Sequence, residues 1–293
     1  MTARHFAPID PFTPCPDGVY RDDRVIVRST AGHRHRRRLR MVRTAHFDVL
    51  PGPGHVSVEH VLSSDEVDDD LAGLLTDELF RPGWLRGKDL FERIFTGVVL
   101  SVEADPLRSW ETFYRNTLSH IESPVRPGTL ADYAPVYRRA GDLIAGDSVL
   151  ELGCCFGFLS LRLAASGLEA TATDISPGAV ELLARVAPRL GVRLATRVAD
   201  ATRYPAVVPP ADTVLALHLV EHLDGADGDK VLVEALRLAR RRVVVAVPLE
   251  MEADETWGHV RTVSLADLEA WGRRSRCRYR VFEYHGGWLV LDR

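Results

Sequence analysis

Carboxylates stand at the ends of three consecutive apolar runs, where a parallel sheet would bring them to one edge. Glu151 lies within the first run, Asp174 ends the second and Asp200 follows the third. In nucleotide-binding α/β sheets, a carboxylate at the tip of the second strand binds the hydroxyls of a ribose. The pattern therefore predicts a site for a nucleoside-containing ligand, with Asp174 as the ribose partner.

A second group of polar residues follows the fourth apolar run. His218, Glu221 and His222 close this run, and open α/β sheets bind ligands at the carboxyl ends of their strands. Histidine titrates near neutral pH, so His218 or His222 could accept a proton from a hydroxyl while Glu221 orients one of them. The alternative is that these residues only support a cofactor pocket, and the sequence does not decide between the two roles.

A glycine-containing turn joins the first apolar run to a helical pattern. Gly153 and Gly157 bound the turn, and Cys155 stands between them. Glycine adopts positive φ without steric cost, and the N–H groups at the start of the following helix can face a ligand. The turn therefore predicts a ligand close to the backbone. If position 155 demands positive φ, a cysteine there predicts strain or a reshaped turn.

The order of these features resembles the class I S-adenosylmethionine-dependent methyltransferases. Their pattern is V-L-[DE]-x-G-x-G-x-G, a ribose acid, an acid at the adenine, and E-H-[LVI] after the fourth strand. The resemblance covers residues 129–293 and departs from the family at Cys155, where a glycine is common. It implies S-adenosyl-L-methionine as the cofactor, bound by Glu151, Gly153, Cys155, Gly157, Asp174, Ile175, Asp200 and Ala201. The residues that it implies for catalysis are His222, His218 and Glu221.

The fold class that follows is α/β, with a seven-stranded Rossmann-like methyltransferase sheet. Its strands are predicted at 148–152, 168–173, 192–198, 213–219, 242–247, 277–284 and 288–291. The last two surround Gly286-Gly287 and are expected to form an antiparallel pair at the sheet edge. Capping-box patterns at 129–132 and 264–267 predict helix starts. We expect a methyltransferase domain over 126–293 and an α+β accessory or substrate module over 1–125.

Composition and charge limit the partners. The 293 residues carry a net charge of −4, so charge alone makes nucleic acid an unlikely partner. No apolar run approaches the ~18 residues that a membrane helix needs. The start of the chain shows no signal-peptide core, and the four cysteines suit a reducing compartment. We therefore expect a cytoplasmic protein without a membrane partner; the sequence leaves its oligomeric state open.

Three further groups of residues carry weaker signals. The arginine-rich run at 34–43 could hold nucleic acid, although arginines on a solvent-facing strand are more common. The histidines have no diagnostic metal-ligand spacing with Asp254 or Glu255, so no metal is predicted. Tyr133 and Tyr137 precede the core on one helix face, where either could cover the methionine end of the cofactor or pack in the core.

Within the superfamily, the layout resembles the methyltransferases of mycofactocin biosynthesis. The similar features are an arginine-rich amino-terminal module, Glu-Leu-Gly-Cys-Cys-Phe-Gly at 151–157, and Gly-Gly-Trp at 286–288. That family is understood to methylate a glucose hydroxyl on the oligosaccharide of the redox cofactor mycofactocin. The resemblance implies an O-methyltransferase with a small-molecule or oligosaccharide acceptor, and Trp110, Tyr114 and Trp257 could stack on a sugar. The alternatives are an RNA methyltransferase that uses the amino-terminal module and a non-catalytic cofactor-binding module.

Overall fold

The computed structural model describes two compact units, Met1–Ala131 and Asp132–Arg293. It describes the whole chain except residues 1–8, 31–32, 34–39, 53, 124–126, 206–207 and 255–256. Most of the arginine-rich run at 34–43, and Glu255, therefore lie outside the described residues. Within the described part, no helix is both long and apolar enough to cross a membrane.

The amino-terminal unit is an α+β module, as the sequence predicts. Its sheet has the order β1-β2-β5-β4-β3, with strands β1 (Val19–Arg21), β2 (Val25–Ser29), β3 (Val42–Arg43), β4 (Phe47–Pro51) and β5 (Val56–His60). Its helices are α1 (Asp70–Leu75), α2 (Lys88–Ser101) and α3 (Pro106–Glu122), with short 3-10 segments at Pro16–Gly18 and Ser64–Glu66 and a π-turn at Thr76–Phe80. Gly97 lets α2 approach the sheet, because a Cβ there would lie 2.5 Å from Val27 Cγ2.

The helical aromatics of this unit belong to its core. Trp110 and Tyr114 are fully buried, and Trp110 Nε1 donates to the carbonyl of Pro11 at 2.6 Å. The hypothesis that these two rings stack on a sugar is therefore wrong, since neither ring reaches the surface. Trp257, in the other unit, is 36% exposed.

The carboxyl-terminal unit contains a seven-stranded sheet in the order β11-β12-β10-β9-β6-β7-β8. Its strands are β6 (Ser148–Leu152), β7 (Glu169–Asp174), β8 (Ala195–Val198), β9 (Ala211–Leu217), β10 (Ala239–Val247), β11 (Arg278–Glu283) and β12 (Gly287–Asp292). Its helices are α4 (Thr129–Asp142, which begins just before the unit), α5 (Phe158–Ala165), α6 (Pro177–Arg189), α7 (Gly225–Leu238) and α8 (Leu265–Ser275), with a 3-10 turn at Val220–His222. This sheet confirms the predicted α/β, Rossmann-like fold.

Register and capping explain why these residues form these elements. The five strands from β6 to β10 are parallel, and β12 pairs antiparallel with both β10 and β11. Central strands of this kind are covered on both faces, so they read as continuous apolar runs. The capping box at the start of α8 is present, with Ser264 Oγ accepting from Asp267 N and Asp267 accepting from Ser264 N. Because β6, β7, β8 and β9 run parallel, their carboxyl ends meet at one edge of the sheet.

Candidate active site

Residues 153–157, named here the cofactor turn, follow β6 with positive φ at alternate positions. The φ values are 68° at Gly153, 50° at Cys155 and 73° at Gly157. These angles favour glycine at 153 and 157, where a Cβ would also lie 2.7 Å from Leu219 Cδ1 and 2.4 Å from Leu183 Cδ2, respectively. Cys155 adopts a glycine-like angle, which costs about 1–2 kcal/mol for an L-residue. The turn is thus strained at Cys155.

Asp174 fixes the cofactor turn to the end of β7. Its Oδ2 accepts from the backbone N–H of Cys155 at 2.9 Å, and its Oδ1 accepts from Ser176 N at 2.9 Å. A carboxylate has about four lone-pair sites, so both oxygens keep capacity for two ribose hydroxyls. Ile175 beside it is 70% exposed and offers an apolar surface on which a purine ring could lie.

Asp200 follows β8 and is held ionised. Its Oδ1 accepts from Thr202 N at 2.8 Å and from Thr202 Oγ1 at 2.7 Å, and these bonds keep the pKa of Asp200 below its usual value. An ionised carboxylate is an acceptor only, which suits an exocyclic amino group. Ala201 packs against the apolar core beneath.

Glu151 is buried in β6 and is bound by the first turn of α5. Its Oε2 accepts from Ser160 N at 3.1 Å and from Ser160 Oγ at 2.5 Å. Burial raises the pKa of Glu151 to about 7, although the Ser160 bonds act in the opposite direction. Glu151 therefore joins strand and helix beneath the cofactor turn, and its implied part in binding the cofactor stays a prediction.

Residues 218–222, named here the histidine segment, leave the sheet two residues earlier than the sequence predicts. β9 ends at Leu217 because His218 turns to φ 50° while its N–H donates to Ala246 O at 2.9 Å. The His218 ring lies 5.1 Å from the ring of Tyr133. Nδ1 of His218 lies 3.4 Å from Oε1 of Glu221, which is 1% exposed. The structure thus brings the three predicted catalytic residues together.

A second segment, residues 258–261, packs against the histidine segment. Val260 N donates to Glu221 O at 2.9 Å, and Arg261 Nε donates to Val220 O at 3.1 Å. The rings of His222 and His259 are 4.8 Å apart in an edge-to-face arrangement. His259, in a Gly-His-Val-Arg segment for which the sequence favours a structural role, therefore lies beside the histidine segment.

Glu250 is the site residue that sequence reasoning missed. Its Oε2 lies 2.8 Å from Nδ1 of His259, which is 9% exposed. The two residues stand nine positions apart in an irregular connection, where no periodicity relates their side chains. No sequence signal could have paired them.

A cavity of about 600 Å³ lies elsewhere in this unit. Tyr137, Leu159, Arg162 and Tyr284 are among the residues that line it. The rings of Tyr133 and Tyr137 pack against each other, with centroids 5.9 Å apart, and the Tyr133 ring also lies beside His218. None of the predicted cofactor or catalytic residues lines this cavity, so its position carries no argument about the chemistry.

Three observations on the described residues test whether S-adenosylmethionine fits. The turn at the carboxyl end of β6 has two glycines with positive φ, Asp174 and Asp200 present acceptors at adjacent strand ends, and Ile175 offers an exposed apolar surface. These are the donors, acceptors and shape that an adenosine requires at the switch point of an open α/β sheet. The residues present fit the cofactor.

Comparison with known proteins also indicates a methyltransferase domain. Residues 149–242 match the family model described as methyltransferase domain. Over 118 residues, the chain is 30% identical to the ubiquinone biosynthesis O-methyltransferase of Azorhizobium caulinodans, covering 39% of this chain and 47% of that protein. The chain thus spans about half the length of this curated relative.

Solved structures are similar at low identity. Magnesium protoporphyrin IX methyltransferase from Synechocystis PCC 6803, with bound SAH, is 16% identical over 61% of this chain and 94% of that chain, with a TM-score of 0.45. The PH0226 protein from Pyrococcus horikoshii OT3 is 15% identical over 55% and 89%, with a TM-score of 0.47. At these scores the similarity adds nothing about function.

The fold and the site define a nucleotide-binding α/β domain of the methyltransferase type. More narrowly, residues 149–242 match the methyltransferase domain family, and the residues at the ends of β6, β7 and β8 fit S-adenosyl-L-methionine as the cofactor.

Proposed function

We propose that the chain is an S-adenosylmethionine-dependent O-methyltransferase that acts on a hydroxyl group of a small molecule. The observation that carries this proposal is the His218–Glu221 pair at the end of β9, next to the cofactor turn. Leu219, inside the histidine segment, has its side chain against Gly153. His218 is therefore adjacent in the sequence to a residue that contacts the cofactor turn, and Glu221 is two residues from it.

Alignment is the first contribution of the chain. The cofactor supplies a methyl group on a sulfonium sulfur, which leaves with the electron pair of the broken C–S bond. The cofactor turn and Asp174 hold the donor, and the histidine segment forms the neighbouring wall where an acceptor oxygen can lie in line. Orientation of this kind lowers a barrier by about 7–11 kcal/mol at best.

Proton removal is the second contribution. As the new O–CH₃ bond forms, the hydroxyl proton must leave, and a base within hydrogen-bond reach accelerates this step by about 10²–10⁴-fold. Glu221 lies on the Nδ1 side of His218, so it favours the tautomer that leaves Nε2 as the proton acceptor. His222 donates from Nδ1 to Gly258 O at 3.1 Å, so its Nε2 is the second candidate for the base.

The acceptor class rests on the sequence resemblance. A hydroxyl acceptor needs a base, whereas a neutral amine needs little more than position, so the histidines support an alcohol. The Azorhizobium relative, by its name, is also an O-methyltransferase. Within the alcohols, the layout shared with the mycofactocin family supports a glucose hydroxyl of an oligosaccharide. Of the three aromatic residues considered for stacking on a sugar, Trp110 and Tyr114 are buried, and Trp257, which follows β10, is partly exposed.

Separate measurements of cofactor binding and turnover test the proposal. We expect S-adenosylmethionine to bind wild-type protein in calorimetry, and His218→Ala and His222→Ala to lose at least about 100-fold in turnover while keeping cofactor affinity within a few fold. His33→Ala, at an exposed histidine of the amino-terminal unit, is the matched control. Absence of cofactor binding in wild type would end the enzyme proposal, and lost binding in the variants would make the histidines support residues.

Metabolites of a deletion strain and its parent identify the acceptor. We expect an oligosaccharide from the deletion strain to be lighter than its counterpart from the parent by the mass of one methylene group. A missing methyl on an RNA instead would support the RNA alternative.

A further inference from the structure

Glu221 is a buried carboxylate whose hydrogen-bonding capacity is not met. It is 1% exposed, and neither side-chain oxygen accepts a hydrogen bond within the described part of the chain. The nearest cationic group, Nδ1 of His218, is 3.4 Å away, which is long for a charge-assisted hydrogen bond. An ionised carboxylate is strongly disfavoured in such surroundings unless it is paired or binds a metal.

Two imidazoles each have a ring nitrogen close to this carboxylate. One ligand atom from each of Glu221, His222 and His259 can be chosen so that all three lie within 4.8 Å of one another. Ligand atoms at about 2.1 Å from one cation are ~3.4 Å apart in a tetrahedral site and at most ~4.2 Å apart in any site. Side-chain shifts of about 1 Å would therefore let the three atoms share a cation.

The hydrogen bonds of the two rings select the tautomer that a metal requires. Nδ1 of His222 lies 3.1 Å from the carbonyl of Gly258, and Nδ1 of His259 lies 2.8 Å from Oε2 of Glu250. A carbonyl and a carboxylate can only accept, so each Nδ1 carries the proton and each Nε2 has a lone pair. A histidine that binds a metal almost always donates its other N–H to a carbonyl or a carboxylate in this way.

We propose that Glu221, His222 and His259 bind a divalent transition-metal cation, such as Zn²⁺, Mn²⁺ or Co²⁺. Two neutral imidazoles and one carboxylate suit these ions better than Mg²⁺ or Ca²⁺, which prefer oxygen ligands alone. The cation supplies the positive charge that the buried Glu221 lacks. The structure therefore assigns a metal site where the spacing of the sequence indicated none.

The role of the cation rests on the proposed methyltransferase function. Three protein ligands leave coordination positions open, and an acceptor hydroxyl at one of them would lose its proton more readily. His222 then holds the metal, and His218 remains to take the proton at Nε2. The oxygen forms its bond to the methyl carbon, while the electron pair of the C–S bond stays with the sulfur of the cofactor.

Metal binding can be measured without turnover. Chelator-treated, untagged full-length protein is titrated with Co²⁺, followed by its visible absorption, and with Zn²⁺ in calorimetry. We expect one equivalent to bind, and Glu221→Gln and His259→Ala to weaken binding by at least about 10–100-fold. His33→Ala should bind as wild type. Absence of binding in wild type, or equal affinity in wild type and both ligand variants, would overturn the site.

Glu250→Gln tests the tautomer argument with little change of shape. Loss of the carboxylate partner of His259 should weaken Co²⁺ binding by about 10-fold, less than the loss of a ligand. Affinity equal to wild type would contradict the proposed orientation of His259.

Cofactor affinity separates this inference from the proposed function. We expect every variant to bind S-adenosylmethionine as wild type does, which also shows that it is folded. Protein that binds the cofactor but no cation refutes the metal site alone. Protein that binds the cation but no cofactor refutes the methyltransferase proposal and leaves the metal site standing.

Discussion

The cofactor turn and the histidine segment lie at the same edge of one sheet, yet they satisfy their polar groups in opposite ways. At the cofactor turn, Asp174 and Glu151 each accept hydrogen bonds from the backbone of the chain. In the histidine segment, the buried Glu221 accepts no hydrogen bond from any residue that the structure describes. The difference indicates that the first region is organised before a ligand arrives, whereas the second is completed by one.

Removing the anchor of the organised region should have the largest effect. Asp174→Ala deletes the acceptor of Cys155 N and the predicted partner of the ribose, so we expect cofactor affinity to fall by at least about 100-fold, or ~3 kcal/mol. Calorimetry with S-adenosylhomocysteine measures the loss. Asp174→Asn keeps one acceptor and should lose less; equal losses would show that charge alone matters.

The second prediction concerns pH and the buried carboxyl of the same region. Because burial raises the pKa of Glu151 from 4.5 to about 7, the folded state binds this proton more tightly than the unfolded state. Its contribution to stability is complete below pH 4.5 and is lost as the pH rises through 7. The free energy of unfolding of wild type should therefore fall, relative to Glu151→Gln, by up to about 3 kcal/mol across this window.

Urea unfolding of both proteins at several pH values measures this difference. Parallel pH dependence in the two proteins would show that Glu151 does not carry the titration.

The third prediction concerns the histidine segment. Replacing a buried polar residue usually destabilises a protein, but here we expect a replacement of similar shape to stabilise it. In chelator, Glu221→Gln removes a buried charge that has no donor, so we expect the free energy of unfolding to rise by about 1–2 kcal/mol. Thermal unfolding in chelator measures the change. A loss of stability would mean that Glu221 is already satisfied, and the comparison of the two regions would fail.

The smallest effect is expected at the strained position of the cofactor turn. Cys155→Gly relieves a φ of 50° but makes the unfolded chain more flexible, and the two contributions nearly cancel, leaving a net change within about 1 kcal/mol. Cofactor affinity should stay within a few fold of wild type. A large loss of affinity would give the cysteine side chain a role of its own at the cofactor.

Local patterns in the sequence predicted the sheet and the cofactor turn, because strands covered on both faces and glycine turns leave continuous signals. Long-range contacts were not predictable. The end of β9 was placed two residues late, since the turn at His218 depends on a hydrogen bond to Ala246. Burial of Trp110 and the pairing of Glu250 with His259 likewise depend on tertiary packing.

The connection between β10 and α8 supplies His259 and Glu250, while its Met251 is completely exposed. A segment of this kind can lengthen, shorten or change composition without disturbing the hydrogen-bond ladder of the sheet. Because this connection is hydrogen-bonded to Glu221 and His222, any such change would alter the position of these two residues. An insertion at this one connection would thus alter the surroundings of His222 and Glu221 while leaving the hydrogen bonds of the cofactor turn unchanged.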